Sequence, residues 1–331
     1  MKLLDLKAPK VTVEATDASR APLVEFELPL PAALAGYGGS TLFSLHGPEG
    51  APLVAVLGGI SADRFPALRP DGDPGWWRGL AGAGCAVDPT RYRILGMDFI
   101  ADPRGARAPA PHDQAAILCA ALDYLGVDQA RAIVGASYGG MIALALGQHF
   151  PDRVDRLAVV SADARPHPAS TAVRELQRRI VALGIETGDP DEALSIARGL
   201  AMLTYRTRDE FAERFEGGIP GESALGRSAP GGYLRARGDA FVARMTPQRF
   251  VSLSASIDRH AVDPAKIAVP TLLIGAESDQ LVPPSQMQAL AGALGGPAEL
   301  HLLPSLYGHD MFLKDADRIS TLVGPFLRDA A

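Results

Sequence analysis

Three side chains, far apart along the chain, have the types and order needed for acyl transfer through a serine. The first is Ser137, in Gly135-Ala136-Ser137-Tyr138-Gly139. The apolar run Arg131-Ala132-Ile133-Val134 precedes it, and the helix-like run Gly140-Met141-Ile142-Ala143-Leu144-Ala145-Leu146 follows. A serine on a sharp strand-to-helix turn sits in strained backbone, and neighbours two residues away must lack bulk for the turn to close. The turn lifts Oγ above the sheet and aims the first helical N–H groups at whatever the serine attacks. Serine is a poor nucleophile near neutrality, so it needs a base within hydrogen-bond reach and an acid to hold that base in one tautomer. In enzymes with such an elbow the order along the chain is serine, then acid, then histidine. Asp279 follows the apolar run Thr271-Leu272-Leu273-Ile274-Gly275 and is the expected acid, with Glu277 as its competitor. His309, in Leu306-Tyr307-Gly308-His309-Asp310, follows the last apolar run and is the expected base. Of seven histidines, His46 and His112 precede the serine and His301 lies inside a predicted strand; only His309 satisfies both order and loop position.

The oxyanion of a tetrahedral intermediate needs two N–H donors. The backbone N–H of Tyr138, directly after the serine, is one. Gly59, after the run Leu53-Val54-Ala55-Val56-Leu57, is the expected second. A tight turn alone would also account for Gly58-Gly59, and the two demands are compatible.

Stepping outward to the supporting elements, apolar runs at residues 24–30, 41–45, 53–57, 93–98, 157–161, 271–275 and 298–303 read as strands, the later ones as buried parallel strands bounded by Gly and Pro. Helical spacing over residues 112–125, after the elbow, over 284–294 and near 316–327 alternates with them, which predicts a mostly parallel central sheet flanked by helices. The rhythm breaks between residues 163 and 262, where only amphipathic helical segments appear. With the elbow, this is the α/β-hydrolase fold: residues 1–162 and 263–331 form the core, and 163–262 form a helical lid inserted after the strand that follows the nucleophile helix. An insertion at the carboxyl ends of such strands lies over the ligand crevice.

Composition narrows the partners. The 331 residues are 47% hydrophobic, enough for a sizeable core, with a net charge of −6 that argues against nucleic acid or an anionic membrane surface. The two cysteines, Cys85 and Cys119, have no metal-ligand spacing and read as free thiols of a reduced, cytoplasmic protein. Residues 1–7 carry an acid and no apolar core after it, unlike a signal peptide, and no stretch approaches the ~20 apolar residues of a membrane span. No metal or bound cofactor is implied.

Beyond the triad, the chain resembles the homoserine O-acyltransferase family from about residue 40 onward. Pro74-Gly75-Trp76-Trp77 with residues 86–92, Ser137-Tyr138-Gly139-Gly140-Met141, residues 198–207 with Glu210-Phe211 and Arg214-Phe215, Tyr233-Leu234 with Gly238-Asp239-Ala240-Phe241, Ser278-Asp279 and residues 307–312 are similar to family motifs in order. The resemblance implies an acyl-CoA donor, a hydroxyl acceptor on an amino acid, a homodimer, and amino-acid-binding residues at Arg198, Tyr205 and Asp310. The chemistry agrees: a zwitterion needs a cation for its carboxylate, best a guanidinium fork, and an anion for its ammonium. Arg198 and Tyr205, seven apart, fall on one helix face. The loop after the fourth strand is short here and the residue after the serine is Tyr138 where many members have methionine; the short form most resembles the homoserine O-succinyltransferases. Arg104 and Arg107 in that loop are candidates for reading a succinyl carboxylate.

The expected reaction is therefore ping-pong transfer of a succinyl or acetyl group from succinyl-CoA or acetyl-CoA to L-homoserine, in methionine biosynthesis, with CoA a substrate rather than a cofactor. Alternatives with the same triad are a serine O-acyltransferase and an esterase or thioesterase. A binding protein on an inactive hydrolase fold is disfavoured by the intact Ser137, Asp279, His309 set.

Overall fold

The computed structural model describes residues 10–13, 22–215 and 228–328. Residues 1–7 and part of the inserted segment, 216–227, lie outside them. Among the described residues nine strands form one sheet in the order β1-β2-β3-β5-β4-β6-β7-β8-β9: β1 (Lys10–Val13), β2 (Leu23–Pro29), β3 (Ser40–His46), β4 (Leu53–Leu57), β5 (Arg93–Met97), β6 (Ala132–Ala136), β7 (Leu157–Val160), β8 (Thr271–Ala276) and β9 (Ala298–Leu303). The first three are antiparallel to their neighbours and the remaining six run parallel. β1 is an addition to the strands expected from sequence; its four residues pair only with β2, at the sheet edge.

Central strands are buried on both faces, which is why they read as continuous apolar runs rather than alternating ones. Leu53, Ala55 and Leu57 of β4 and Ile133 of β6 face a core shared with α1 (Pro111–Tyr124) and α2 (Tyr138–His149). Val54, Val56, Ala132, Val134 and Ala136 face the opposite core, with the fully buried Trp77 and the C-terminal helix described below.

Among the described residues, five α-helices lie between β7 and β8: α3 (Pro168–Thr187), α4 (Pro190–Tyr205), α5 (Arg208–Arg214), α6 (Ala229–Val242) and α7 (Pro247–Asp258). Their starts follow capping chemistry. Asp189, Thr207, Ser228 and Thr246 each accept a backbone N–H with the side chain, and proline follows at the first turn of all but α5. Three helices close the chain: α8 (Pro284–Ala293), α9 (Met311–Lys314) and α10 (Ala316–Arg328), the last packing Ile319, Val323 and Leu327 under the sheet.

What matters for the site is where the strand order reverses. The chain passes from β4 out to β5, then crosses to β6 on the other side of β4. Connections leaving a parallel sheet in opposite directions open a crevice at the strand ends. Leu57 lies opposite Gly135 in the ladder, so the loops carrying Gly59 and Ser137 leave side by side.

The elbow is closed by contacts that admit no side chain. A Cβ on Gly135 would lie 2.2 Å from the Gly139 carbonyl oxygen, and one on Gly139 would lie 2.3 Å from the carbonyl oxygen of Leu57. The Gly139 N–H donates to the Gly58 carbonyl at 2.8 Å, pinning α2 against β4. Gly139→Ala therefore forces backbone to move and should cost about 1–3 kcal/mol or more. Gly232 in α6 faces open space, so Gly232→Ala should instead add about 0.5–1 kcal/mol. Urea unfolding of both variants checks the contrast; a harmless Gly139→Ala would contradict the packing described.

Candidate active site

Ser137 occupies the N-cap of α2 with φ 54° and ψ −116°. A serine at that position normally turns its hydroxyl back onto the helix N–H groups. This one makes no capping bond. Its Oγ lies 2.9 Å from Nε2 of His309 instead. Nδ1 of His309 lies 2.8 Å from Oδ2 of Asp279, and Oδ1 of Asp279 accepts the N–H groups of Leu281 (2.8 Å) and Val282 (3.0 Å). Both Asp279 oxygens are thus occupied, and the carboxylate is fixed. Glu277 is exposed, so of the two acids weighed from sequence only Asp279 reaches the histidine.

His309 arrives on a 3-10 turn, Gly308–Asp310, between β9 and α9. Gly308 has φ 56° and brings the loop against the end of α4, where a Cβ would lie 2.7 Å from the carbonyl oxygen of Tyr205. Trp77 supports the loop from beneath, donating its indole N–H to the Phe312 carbonyl at 2.6 Å, while Phe312 meets the imidazole edge-on. The tryptophan pair of the segment Pro74-Gly75-Trp76-Trp77 thereby has a structural use: one ring holds the base's loop.

Burial is the largest influence on His309 and pushes its pKa down. The charge and hydrogen bond of Asp279, joined by the charge of Asp310, outweigh it, and the imidazole is raised above its ordinary value of 6.5. An imidazolium formed by taking the serine proton is thus stabilised where it forms.

Tyr138 begins α2, where a helical N–H has no intrahelical acceptor, and Gly59 stands in the loop beside it. A Cβ on Gly58 would strike Trp76 and Ala62, whereas one on Gly59 would meet nothing within 4 Å. Packing therefore demands the first glycine, and space beside the second is open. The Tyr138 side chain turns away from the cavity. Its hydroxyl lies 2.6 Å from Oγ of Ser256 on α7 and accepts from Gln114 at 3.2 Å, so the residue that follows the serine is tied to the inserted helices.

A narrow cavity opens on Ser137 and His309 and is walled by residues of α3, α4 and α7, among them Arg174, Tyr205 and Ile257. Arg198 stands one ring behind this wall: its guanidinium lies 5.2 Å over the ring of Tyr205 and 5.0 Å over that of Phe241. No carboxylate among the described residues pairs with it. Tyr205 in turn packs 5.7 Å from the ring of His309. Asp310 is buried and accepts from Nε of Arg206 at 3.2 Å; the same guanidinium binds Glu210 at 2.6 Å. Arg206 was not singled out from sequence. Only its place directly after Tyr205, inside the family-like segment, could have pointed to it. Arg104 and Arg107 are placed elsewhere: their side chains are mostly exposed, lean on Asp102, and do not line the Ser137 cavity. The short loop carrying them turns along the outside of the sheet because Asp102, fully buried, accepts both of their backbone N–H groups.

Among the described residues no cluster of His, Cys, Asp and Glu could hold a metal, and no helix is long and apolar enough to cross a membrane.

A relay of this geometry should acylate from an activated ester, and His309 must be neutral to act. The rate should therefore fall on the acid side through an ionisation lying above 6.5. Asp279→Asn removes the charge that raises His309, so the acid limb should move to lower pH while kcat falls by about 10⁴-fold. A pH profile with p-nitrophenyl acetate checks both; an unmoved limb would show that Asp279 does not govern the imidazole.

Known proteins are similar to this chain in sequence and fold. The family model described as the α/β hydrolase fold matches residues 70–316. A homoserine O-succinyltransferase from Xanthomonas campestris pv. campestris is 40% identical, the match covering 99% of this chain and 91% of that protein. A homoserine O-acetyltransferase from Thermus thermophilus is 30% identical over 82% of this chain and 78% of its own. Among solved structures, that of a homoserine O-acetyltransferase from Bacillus anthracis superposes with a TM-score of 0.80 over 98% of both chains at 17% identity, and that of esterase E22 with 0.82 over 92% of this chain and 99% of its own at 19%. At those identities the two structures speak to the fold alone.

Proposed function

The chain belongs to the homoserine O-acyltransferase family of the α/β-hydrolase fold, and from that premise we propose that it transfers an acyl group from acyl-CoA to the hydroxyl of L-homoserine, in methionine biosynthesis, with succinyl-CoA the favoured donor and acetyl-CoA the next. The observation that carries the reading is the unbroken Ser137–His309–Asp279 hydrogen-bond chain opening on a cavity beside Arg198, which no carboxylate among the described residues pairs. A hydrolase has no use for that arginine. A transferase that accepts a zwitterion does.

The reaction runs in two halves. Nε2 of His309 takes the Ser137 proton as Oγ bonds to the thioester carbonyl carbon. The N–H groups of Gly59 and Tyr138 hold the oxyanion. The carbon–sulfur bond breaks, the proton on His309 passes to the departing CoA sulfur, and an acyl-serine remains. Homoserine then enters, its carboxylate on Arg198, its ammonium on Asp310, and Tyr205 as the wall between them. Arg206 binds both Asp310 and Glu210, and Glu210 also lies 3.9 Å from Arg214, so the Asp310 carboxylate keeps one oxygen for the ammonium. His309 takes the proton from the homoserine hydroxyl, the oxygen attacks the acyl-serine, and Ser137 recovers its proton as the product ester leaves. The inserted helices keep water from the acyl-serine. CoA is a substrate in this scheme and no resident cofactor or metal takes part.

The assembly that fits is a homodimer. Leu176 and Leu183 on α3, and Ile196 and Leu203 on the adjacent α4, are 50%, 60%, 52% and 50% exposed and lie seven apart on each helix, an apolar stripe suited to a second copy. The free thiols Cys85 and Cys119 suit the reducing cytoplasm, where we place the enzyme.

Two expectations test the scheme. Mixed with succinyl-CoA and no acceptor, the protein should release about one equivalent of thiol and gain one acyl group on Ser137 by peptide mass spectrometry; Ser137→Ala should do neither. Arg198→Lys keeps the charge and loses the fork, so it should raise KM for homoserine about 10- to 100-fold while the thiol burst persists. A burst slowed as much as turnover would move Arg198 to the donor site.

A further inference from the structure

Tyr138 has two parts that meet different neighbours. Its backbone N–H serves the oxyanion in the acylation scheme. Its side chain runs the other way and is fully buried, the ring 5.0 Å from that of Phe99 and nearly perpendicular to it. A buried phenol must place its hydroxyl hydrogen on an acceptor. The surrounding network fixes which one. Gln114, also fully buried, accepts the Ile100 N–H on Oε1 at 3.1 Å and donates Nε2 to the Ile100 carbonyl at 2.8 Å. With the amide oriented by that pair, Nε2 has one hydrogen left, and it goes to the Tyr138 oxygen at 3.2 Å. The acceptor that the phenol itself meets among the described residues is Oγ of Ser256, at 2.6 Å. Burial pushes the phenol's pKa up, so the donated proton stays in place near neutral pH.

Ser256 lies on α7, and the next residue, Ile257, lines the Ser137 cavity. A second serine on the same face of α7, one turn earlier, also bonds to the core. Ser252 accepts the Asp102 N–H at 2.9 Å and donates to the Arg107 carbonyl at 2.7 Å. On another face, Ser254 and Asp258 bind Arg178 of α3, and Asp258 binds Arg174 as well. Hydrogen bonds thus tie α3 to α7 and α7 to the core, and one of the two core anchors is the residue that follows the nucleophile. Ser252, Ser254 and Ser256 are at most 1% exposed. Lifting α7 would part Tyr138 from Ser256 and leave two buried hydroxyls unbonded unless water followed them in. An apolar contact tolerates sliding, whereas a hydrogen bond fixes distance and direction.

An acyl-serine has two fates. In transfer, the homoserine hydroxyl attacks it. In hydrolysis, His309 takes a proton from water, the water oxygen bonds to the acyl carbon, the bond to Ser137 Oγ breaks, the proton passes to Oγ and the free acid leaves. The relay and the oxyanion donors serve both, so what covers the cavity has to choose between them. We propose that the Tyr138 hydroxyl is a positioning group: by donating to Ser256 it seats the Ile257 turn of α7 over the acyl-serine and so sets transfer ahead of hydrolysis. This rests on the acyltransferase reading and assigns its exclusion of water to one contact.

The test times the acyl-enzyme itself. Protein acetylated on Ser137 with p-nitrophenyl acetate is freed of excess ester, and loss of the adduct is followed by intact-mass spectrometry, with and without homoserine. The wild type is compared with Ser256→Ala, Tyr138→Phe and the double variant. Without homoserine, each single variant should lose its acetyl group about 2- to 10-fold faster than the wild type, the span of one neutral hydrogen bond. The double variant should be no faster than the quicker single one, because the two replacements remove the same contact. With homoserine present, the share of acetyl carried to homoserine rather than to water should fall in all three. A general loss of structure would slow both fates together and leave that share unmoved. Each single variant removes one oxygen, from α7 or from the elbow, so either carries the readout if the other does not fold. Unchanged adduct lifetimes, additive effects in the double variant, or faster loss in only one of two folded single variants would overturn the assignment. A wild-type adduct that water removes and homoserine does not would fail the acyltransferase reading, while the variants' lifetimes would still judge the contact.

Discussion

Everything at this site hangs on a backbone conformation that Ser137 adopts against its own preference. With φ 54° and ψ −116° the residue lies outside the regions open to most L-amino acids, at a cost of about 1–3 kcal/mol. The surroundings over-determine it. Ser137 N–H is bonded to the Val160 carbonyl, Gly139 N–H to that of Gly58, and α2 is buried from Tyr138 through Gly147. The strand, the turn and the helix cannot relax separately. Because the hydroxyl is denied its capping bond, it is free for His309, and because α2 starts there, its first N–H groups face the reacting carbon. One strained residue thus fixes nucleophile, base contact and oxyanion donor together.

Placed over that elbow, the inserted helices bring charge rather than bulk alone. Their arginines join buried acids in two clusters. Arg206 and Arg214 with Asp310 and Glu210 form one beside the base. Asp258 with Arg174 and Arg178 leaves a surplus of positive charge across the cavity. The second cluster is not balanced by its own members, which is costly in a folded chain without ligands and favourable once a group of the opposite sign is bound. Between them lie the two arene-backed positions, Arg198 on Tyr205 and His309 against Phe312. The Tyr138 hydroxyl ties α7 to the elbow, so the helices that carry these charges are registered on the serine by a direct hydrogen bond.

Much of this was legible in the amino-acid order. Gly135-Ala136-Ser137-Tyr138-Gly139 declared the elbow because a closed turn needs bare backbone, and the strands around it showed as apolar runs because a sheet buried on both faces tolerates little else. Asp279 and His309 could be named from their order and loop positions. Less legible was what a carboxylate or guanidinium meets across the fold. Glu277 and Asp279 differ by two residues in one loop, and only the turn that gives Asp279 the N–H groups of Leu281 and Val282 separates them. Arg104 and Arg107 looked suited to a carboxylate, yet the buried Asp102 draws their loop away from the cavity. Arg174, Arg206 and Ser256 carried no local signal, since an arginine or a serine in an amphipathic helical segment is ordinary in isolation.

The sequence by itself therefore determined the sheet, the elbow, the serial order of the relay and the presence of a helical insertion. These follow from local rules: steric demand at glycine, apolar periodicity and capping residues all act within a few positions. The tertiary structure alone decided which charges share a cavity. Pairing of Arg174 with Asp258, 84 residues apart, and of Arg206 with Asp310, 104 apart, depends on helix packing angles over the strand ends. Electrostatic partnership falls off with distance in space and is indifferent to distance along the chain, so no reading of neighbours in sequence could supply it.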